Sequence, residues 1–184
     1  DRHGRQQFNP FLDSIYDITK AIDKTRPVIT SSGSYPTERT DVHDVHDYEQ
    51  DPETFKSYYA EMDKGIARDQ LWRLNRHRQV YKTELPVFMS EYGGIRIDLE
   101  AAKENDRKKA WGYGNAATSL EEFYERYDGL TTALIDNPKM IGFCYTQLTD
   151  VEQELNGIYN YDRSEKFDSE VLYKINMRKA AIEK

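Results

Sequence analysis

Helix and strand signals alternate along the 184 residues, which predicts an α/β protein whose parallel sheet is covered by helices. Two observations carry this expectation. Short runs of strand length lie at residues 28–33, 41–47, 86–91 and 140–146, and helical apolar spacing precedes, separates and follows them.

Taken in order, Asn9-Pro10 followed by Phe11, Leu12, Ile15, Ile18 and Ile22 reads as an N-cap, a proline at the first helical position and an apolar face ending near Asp23. Arg26-Pro27 breaks that helix, and Val28-Ile29-Thr30-Ser31-Ser32-Gly33 reads as a short buried strand running into a loop. Residues 41–47 form a second strand candidate. Asp51-Pro52 opens a charged helical stretch to about Tyr81, with a weak point at Gly65, and Trp72 is expected to pack it onto the sheet. Residues 86–91 are the third strand, stopped by Gly93-Gly94. Ser119 with Glu122 three residues on forms a capping box for a helix to about Ile135. Residues 140–146 are the fourth strand, and residues 168–182 a last amphipathic helix.

The composition narrows the function. Twenty-six Lys and Arg against 33 Asp and Glu give a net charge of −7 with both signs interspersed, so no basic face for nucleic acid is expected. The longest uncharged runs, such as residues 140–149, are far below the roughly 20 apolar residues of a membrane span, so no membrane partner is expected. Cys144 stands alone, which excludes an intrachain disulfide framework and a multi-cysteine metal site, and a core thiol is expected. No cofactor is expected. The chain is long enough for one domain but short of the roughly 250 residues of a complete (β/α)8 barrel.

The most informative segment is Pro86-Val87-Phe88-Met89-Ser90-Glu91-Tyr92-Gly93-Gly94, an apolar strand ending in a carboxylate and two glycines. Strict alternation puts Val87, Met89 and Glu91 on one face. From pattern alone Glu91 is either a functional carboxylate or a strand cap in a surface loop. His43-Asp44-Val45-His46-Asp47 invites a metal reading, but an offset of three on a strand sends the two imidazoles to opposite faces, so no metal site is expected. The acidic run Asp150, Glu152 and Glu154 reads as a solvated loop.

The strand at residues 86–94 resembles the nucleophile strand of glycoside hydrolase family 2, P-V-x-x-S-E-[YF]-G-G. Residues 142–154, with Asn156-Gly157 and Tyr161-Asp162-Arg163, resemble the eighth barrel strand and following loop of a β-galactosidase-like branch of that family. Thr25-Arg26-Pro27-Val28-Ile29 is similar to strand five, Asp41 through His46-Asp47-Tyr48 to strand six, and Trp111-Gly112-Tyr113-Gly114 to the loop after strand seven. The resemblance covers essentially the whole chain. It implies the C-terminal half of a TIM (β/α)8 barrel, about strands five to eight with their helices, residues 1–184 being a partial catalytic domain without the barrel's N-terminal half.

The chemistry implied is retaining hydrolysis of β-glycosides by two carboxyl groups, with Glu91 as nucleophile. His46, Tyr92, Trp111, Tyr145 and Gln147 are the residues expected around the sugar. His46 either partners a sugar hydroxyl or is a structural strand-end histidine, and Tyr145 either lies beneath the sugar ring or fills the core. The family carries its acid/base glutamate in an Asn-Glu pair, and no Asn-Glu dipeptide occurs here. The chain alone is therefore expected to be an inactive fragment, and a non-catalytic carbohydrate-binding or assembly piece is the alternative. Open parallel edges further suggest a homodimer of half barrels.

Overall fold

Asn9 and Pro10 begin helix α1 (Asn9–Ile22) in the computed structural model of the chain, which describes residues 7–33, 36–60, 62, 84–98 and 110–184. Pro10 suits the first turn because the N–H it lacks would have no intrahelical acceptor there. The cap itself differs from expectation. Phe8 occupies it without a side-chain hydrogen bond, and Asn9 lies inside the helix, accepting from Gln7 Nε2 at 3.0 Å. Phe8, Phe11, Ile15, Ile18 and Ile22 are exposed, and no α1 residue is buried.

Residues 28–33 do not form the predicted strand. Val28 N–H donates to Asp41 Oδ2 at 2.9 Å, and its carbonyl accepts from Asp41 N–H at 3.0 Å. One residue thus satisfies what a neighbouring strand would have satisfied. Asp41 also accepts from Tyr16 Oη at 2.6 Å and Lys20 Nζ at 2.9 Å, tying α1 to this segment. Burial pushes the Asp41 carboxyl up, but hydrogen bonds from Tyr16, Lys20 and Val28 outweigh it and hold the pKa below its ordinary value.

The expected parallel sheet forms from three strands. β1 (His43–Asp47) is followed by α2 (Pro52–Tyr59), which Asp51 caps by accepting from Thr54 N–H at 2.8 Å. The predicted continuation of α2 to Tyr81, its weak point at Gly65 and the packing of Trp72 lie outside the described residues. β2 (Val87–Gly93) runs to the first glycine. Beyond it β3 (Ile95–Ile97) pairs in parallel with β4 (Tyr113–Ala117) in a two-stranded sheet that no apolar run of strand length announces. Helix α3 (Leu120–Ile135) has the expected cap, Ser119 Oγ accepting from Glu122 N–H at 3.1 Å. Glu122 reaches back one residue further than the capping box requires, to Thr118 N–H at 2.8 Å. β5 (Met140–Thr146) completes the sheet in the order β1-β2-β5, all parallel. The last predicted helix divides into α4 (Ser169–Asn176), capped by Asp168, and a 3₁₀ turn at Ala181–Glu183.

The core lies between this sheet and the helices. Val45, Val87, Met89 and Tyr92 meet Phe55 and Tyr59 of α2 and Phe123, Leu130 and Leu134 of α3. Each large apolar side chain so buried stabilises by about 1.5–3 kcal/mol. Cys144 is a correction, since it is exposed on the edge strand β5 rather than a core thiol. Among the described residues no helix is long and apolar enough to cross a membrane.

Candidate active site

Glu91 stands at the C-terminal end of β2, the central strand, and a register irregularity decides which way it points. On β1 the chain advances one residue from Val45 to His46 while β2 advances two, from Met89 to Glu91. Against β5 the same stretch of β2 advances three residues, from Met89 to Tyr92, for the two from Phe143 to Tyr145. β2 therefore carries one extra residue at Ser90-Glu91, a bulge that breaks the alternation. Val87, Met89 and Tyr92 all pack into the helix-side core. The expectation that Glu91 shares a face with Val87 and Met89 is thus corrected. The bulge turns its carboxylate, whose side chain is 40% exposed, to the opposite face.

On that face Glu91 meets β1. Tyr48 Oη donates to Glu91 Oε2, and His46 Nδ1 lies 3.2 Å from the same oxygen. On its other side, His46 Nε2 is 3.0 Å from Ser32 Oγ and 3.8 Å from Asp44 Oδ2, and the fully buried Asp44 carboxylate accepts from Gly33 N–H. Asp44, His46 and Tyr48 follow one another at intervals of two, so a single face of β1 and its extension supplies all three. Burial, and then the hydrogen bond to Glu91, raise the Tyr48 phenol well above its ordinary range, so it stays a donor. Its ring lies flat on that of Tyr113. Tyr48, Asp44, Ser32 and Tyr113 were absent from the expected site. The period-two spacing from His46 was the signal that could have found Tyr48.

The opposite face of β1 behaves differently. His43 is buried there, apart from His46. Asp47 sits under α2, where burial raises its carboxyl to about 6 despite hydrogen bonds from Tyr59 Oη at 2.6 Å and Glu49 N–H at 2.9 Å. Among the described residues no group of three or more His, Cys, Asp or Glu is arranged to hold a metal ion.

The remaining expected sugar contacts divide. The bulge turns the Tyr92 ring into the core at 0% exposure, with its hydroxyl 2.8 Å from Thr131 Oγ1. Tyr145 has its ring edge-on to Tyr92 at 5.6 Å and tilted against Tyr127 at 5.1 Å. Its hydroxyl accepts from Ile95 N–H at 3.0 Å, and the partly buried ring packs against the core. Gly93, at φ +80°, makes room for that ring, since a Cβ there would collide with it. Trp111 is 47% exposed and is held by backbone hydrogen bonds to Gln153 and Leu155. Gln147 Nε2 donates to the buried Asn156 at 3.0 Å, which anchors the loop after β5. A cavity of about 880 Å³ shares Tyr48 with this cluster but is otherwise lined by residues such as Asp47, Gln50, Asn115 and Arg126, and excludes Glu91.

No protein-family model matches the chain, and no curated protein sequence matches it significantly. Solved structures do match. A β-glucuronidase from an uncultured Clostridium species superimposes with a TM-score of 0.57 at 13% identity over 92% of this chain. A Faecalibacterium prausnitzii β-glucuronidase gives 0.57 at 15% identity over 94%, and a Bifidobacterium dentium β-glucuronidase complexed with coumarin-3-O-glucuronide gives 0.55 at 17% over 90%. The chain spans only 30%, 29% and 26% of those proteins. At such identities the likeness is one of fold: the chain shares the mixed α/β architecture, with parallel strands, of the matching part of these glycosidases.

Proposed function

We propose that this chain is the nucleophile-bearing part of the catalytic domain of a retaining β-glycosidase, corresponding to strands five to eight of a (β/α)8 barrel. The observation that carries the reading is Glu91 at the C-terminal end of a central parallel strand, where active sites of such barrels lie, with His46 of β1 and Tyr48 just beyond β1 on its Oε2. With Oε2 held, Oε1 is assigned to attack the anomeric carbon. The glycosidic C–O bond breaks as the Oε1–C bond forms, and the leaving oxygen takes a proton from a second carboxyl group. That carboxylate then removes a proton from water, which displaces Glu91 and returns the sugar with its configuration retained. The chain has no Asn-Glu dipeptide, so the second carboxyl group is assigned to the rest of the longer protein.

Two sugars are carried forward. The motif at residues 142–154 resembles β-galactosidases, whereas the solved structures of similar fold are named β-glucuronidases. Hydrolysis of nitrophenyl β-galactoside and β-glucuronide by the complete enzyme decides between them. On the preferred substrate Glu91→Gln is expected to lower kcat by about 10⁴-fold or more, as loss of a nucleophile does. Azide added to Glu91→Gly should restore turnover and yield an α-glycosyl azide. A Glu91→Gln enzyme with the wild-type rate would overturn the assignment. The isolated chain should not turn over these substrates, since a missing general acid typically costs about 10²- to 10⁴-fold.

A further inference from the structure

We propose that Tyr113 is a positioning residue for this site: stacked on Tyr48, its ring fixes the phenol on Glu91 Oε2 and so reserves Oε1 for attack. The inference rests on the reading of Glu91 as nucleophile. The two rings lie 3.4 Å apart between centroids and 4° from parallel. Rings stacked this flat leave neither one room to tilt toward the other.

Tyr113 is the member that is held. It begins β4, its N–H donates to Gly94 O at 3.1 Å, and the Trp111 ring meets it edge-on at 5.8 Å. Gly94, at φ +63°, lets the ring lie against the backbone where any Cβ would collide with it. Tyr48 is the member that depends on others. It lies one residue beyond the end of β1, so no strand pairing fixes it, and its carbonyl accepts from Gln50 Nε2 at 3.1 Å. With Tyr113 removed, the Tyr48 ring can turn about its side-chain torsions, and its hydroxyl leaves Oε2 or moves to Oε1. The carboxylate then loses the fixed orientation that an in-line attack needs, and small displacements of a reacting group are costly.

The test measures covalent labelling of Glu91 in the complete enzyme by a dinitrophenyl fluoro-galactoside, or the fluoro-glucuronide if that is the sugar hydrolysed. Dinitrophenolate departs as an anion while the Glu91–carbon bond forms, so no general acid is needed. Tyr113→Leu is expected to slow the labelling step by about 10- to 100-fold, the scale of losing a hydrogen bond to a charged group, while the inhibitor's binding constant changes far less. Tyr113→Phe keeps the stack and should recover most of the rate. The double variant Tyr48→Phe/Tyr113→Leu should be no slower than Tyr48→Phe alone, because Tyr113 acts through Tyr48. If Tyr113→Leu fails to fold, Tyr113→Met replaces it in the same cycle. Wild-type labelling by the Tyr113 variant, or effects that multiply in the double variant, would overturn the proposal while leaving the nucleophile standing. A wild-type enzyme labelled elsewhere than Glu91 would remove the underlying reading itself.

Discussion

Helices α1 and α3 are both amphipathic by sequence, yet α3 buries seven residues and α1 none. The pattern that makes a helix is therefore separate from the surface that buries it. α3 lies over the sheet, with Phe123 stacked on Phe167 at 3.7 Å and Leu130 and Leu134 in the core. α1 is joined to the rest through the polar triad of Tyr16, Lys20 and Asp41, with its apolar face outward. Polar pins set where α1 sits, and apolar burial sets how firmly α3 is held.

The comparison breaks most readily by truncating one aromatic in each helix. Phe123→Ala should cost about 3–5 kcal/mol in urea unfolding, as large core aromatics do. Phe11→Ala, on the exposed face, should cost less than about 0.5 kcal/mol. Equal losses would mean that α1 is buried in solution.

A second contrast lies in two aspartates, Asp41 just before β1 and Asp47 at its end, whose pKa values are shifted in opposite directions. Asp47 has a folded pKa of about 6, raised above the unfolded value, so its protonated form is favoured by folding. Its contribution is present below about pH 4 and is lost as pH rises through 6, a swing of about 3 kcal/mol. Asp47→Asn keeps an acceptor without the charge, so it should flatten the stability profile between pH 4 and 6 and be the more stable form above pH 7. Asp41 has a lowered pKa, so its contribution is present above the unfolded value and fades as pH falls, and Asp41→Asn should remove that acid-side loss. Chemical denaturation at a series of pH values reads both, and an Asp47→Asn profile parallel to wild type would contradict the assignment.

The smallest effects concern the caps. Ser119→Ala should cost about 1 kcal/mol by leaving Glu122 N–H without its acceptor. Phe8→Ser should stabilise α1 by up to about 1 kcal/mol, because the present cap offers no side-chain acceptor. Thermal melting of the pair tests this, and a destabilising Phe8→Ser would show that the phenylalanine is packed.

Three strands, and both the cap and the extent of α3, were legible in the sequence because local chemistry dictates them: apolar runs bounded by turn residues, and Ser119 followed by Glu122. Residues 28–33 misled because an apolar run becomes a strand only beside a partner, and Asp41 takes that partner's place. The direction of Glu91 was not legible either. Val87, Met89 and Glu91 fit a period of two, and only the registers against both neighbouring strands reveal the extra residue. The same bulge sends the Tyr92 ring into the core, where Tyr145 packs against it. Tyr48 could have been read from its spacing to His46. Tyr113 could not, because it belongs to a second small sheet whose approach to Tyr48 no sequence interval encodes.

Under the proposal for Glu91, the bulge aims its carboxylate at the anomeric carbon as the attacking group. Peptide mapping by mass spectrometry after treating the complete enzyme with the fluoro-glycoside tests it most directly. One glycosyl unit is expected on the peptide spanning Glu91, attached to that residue and absent from Glu91→Gln. A glycosyl unit on another carboxylate, in an enzyme inactivated by the reagent, would contradict it.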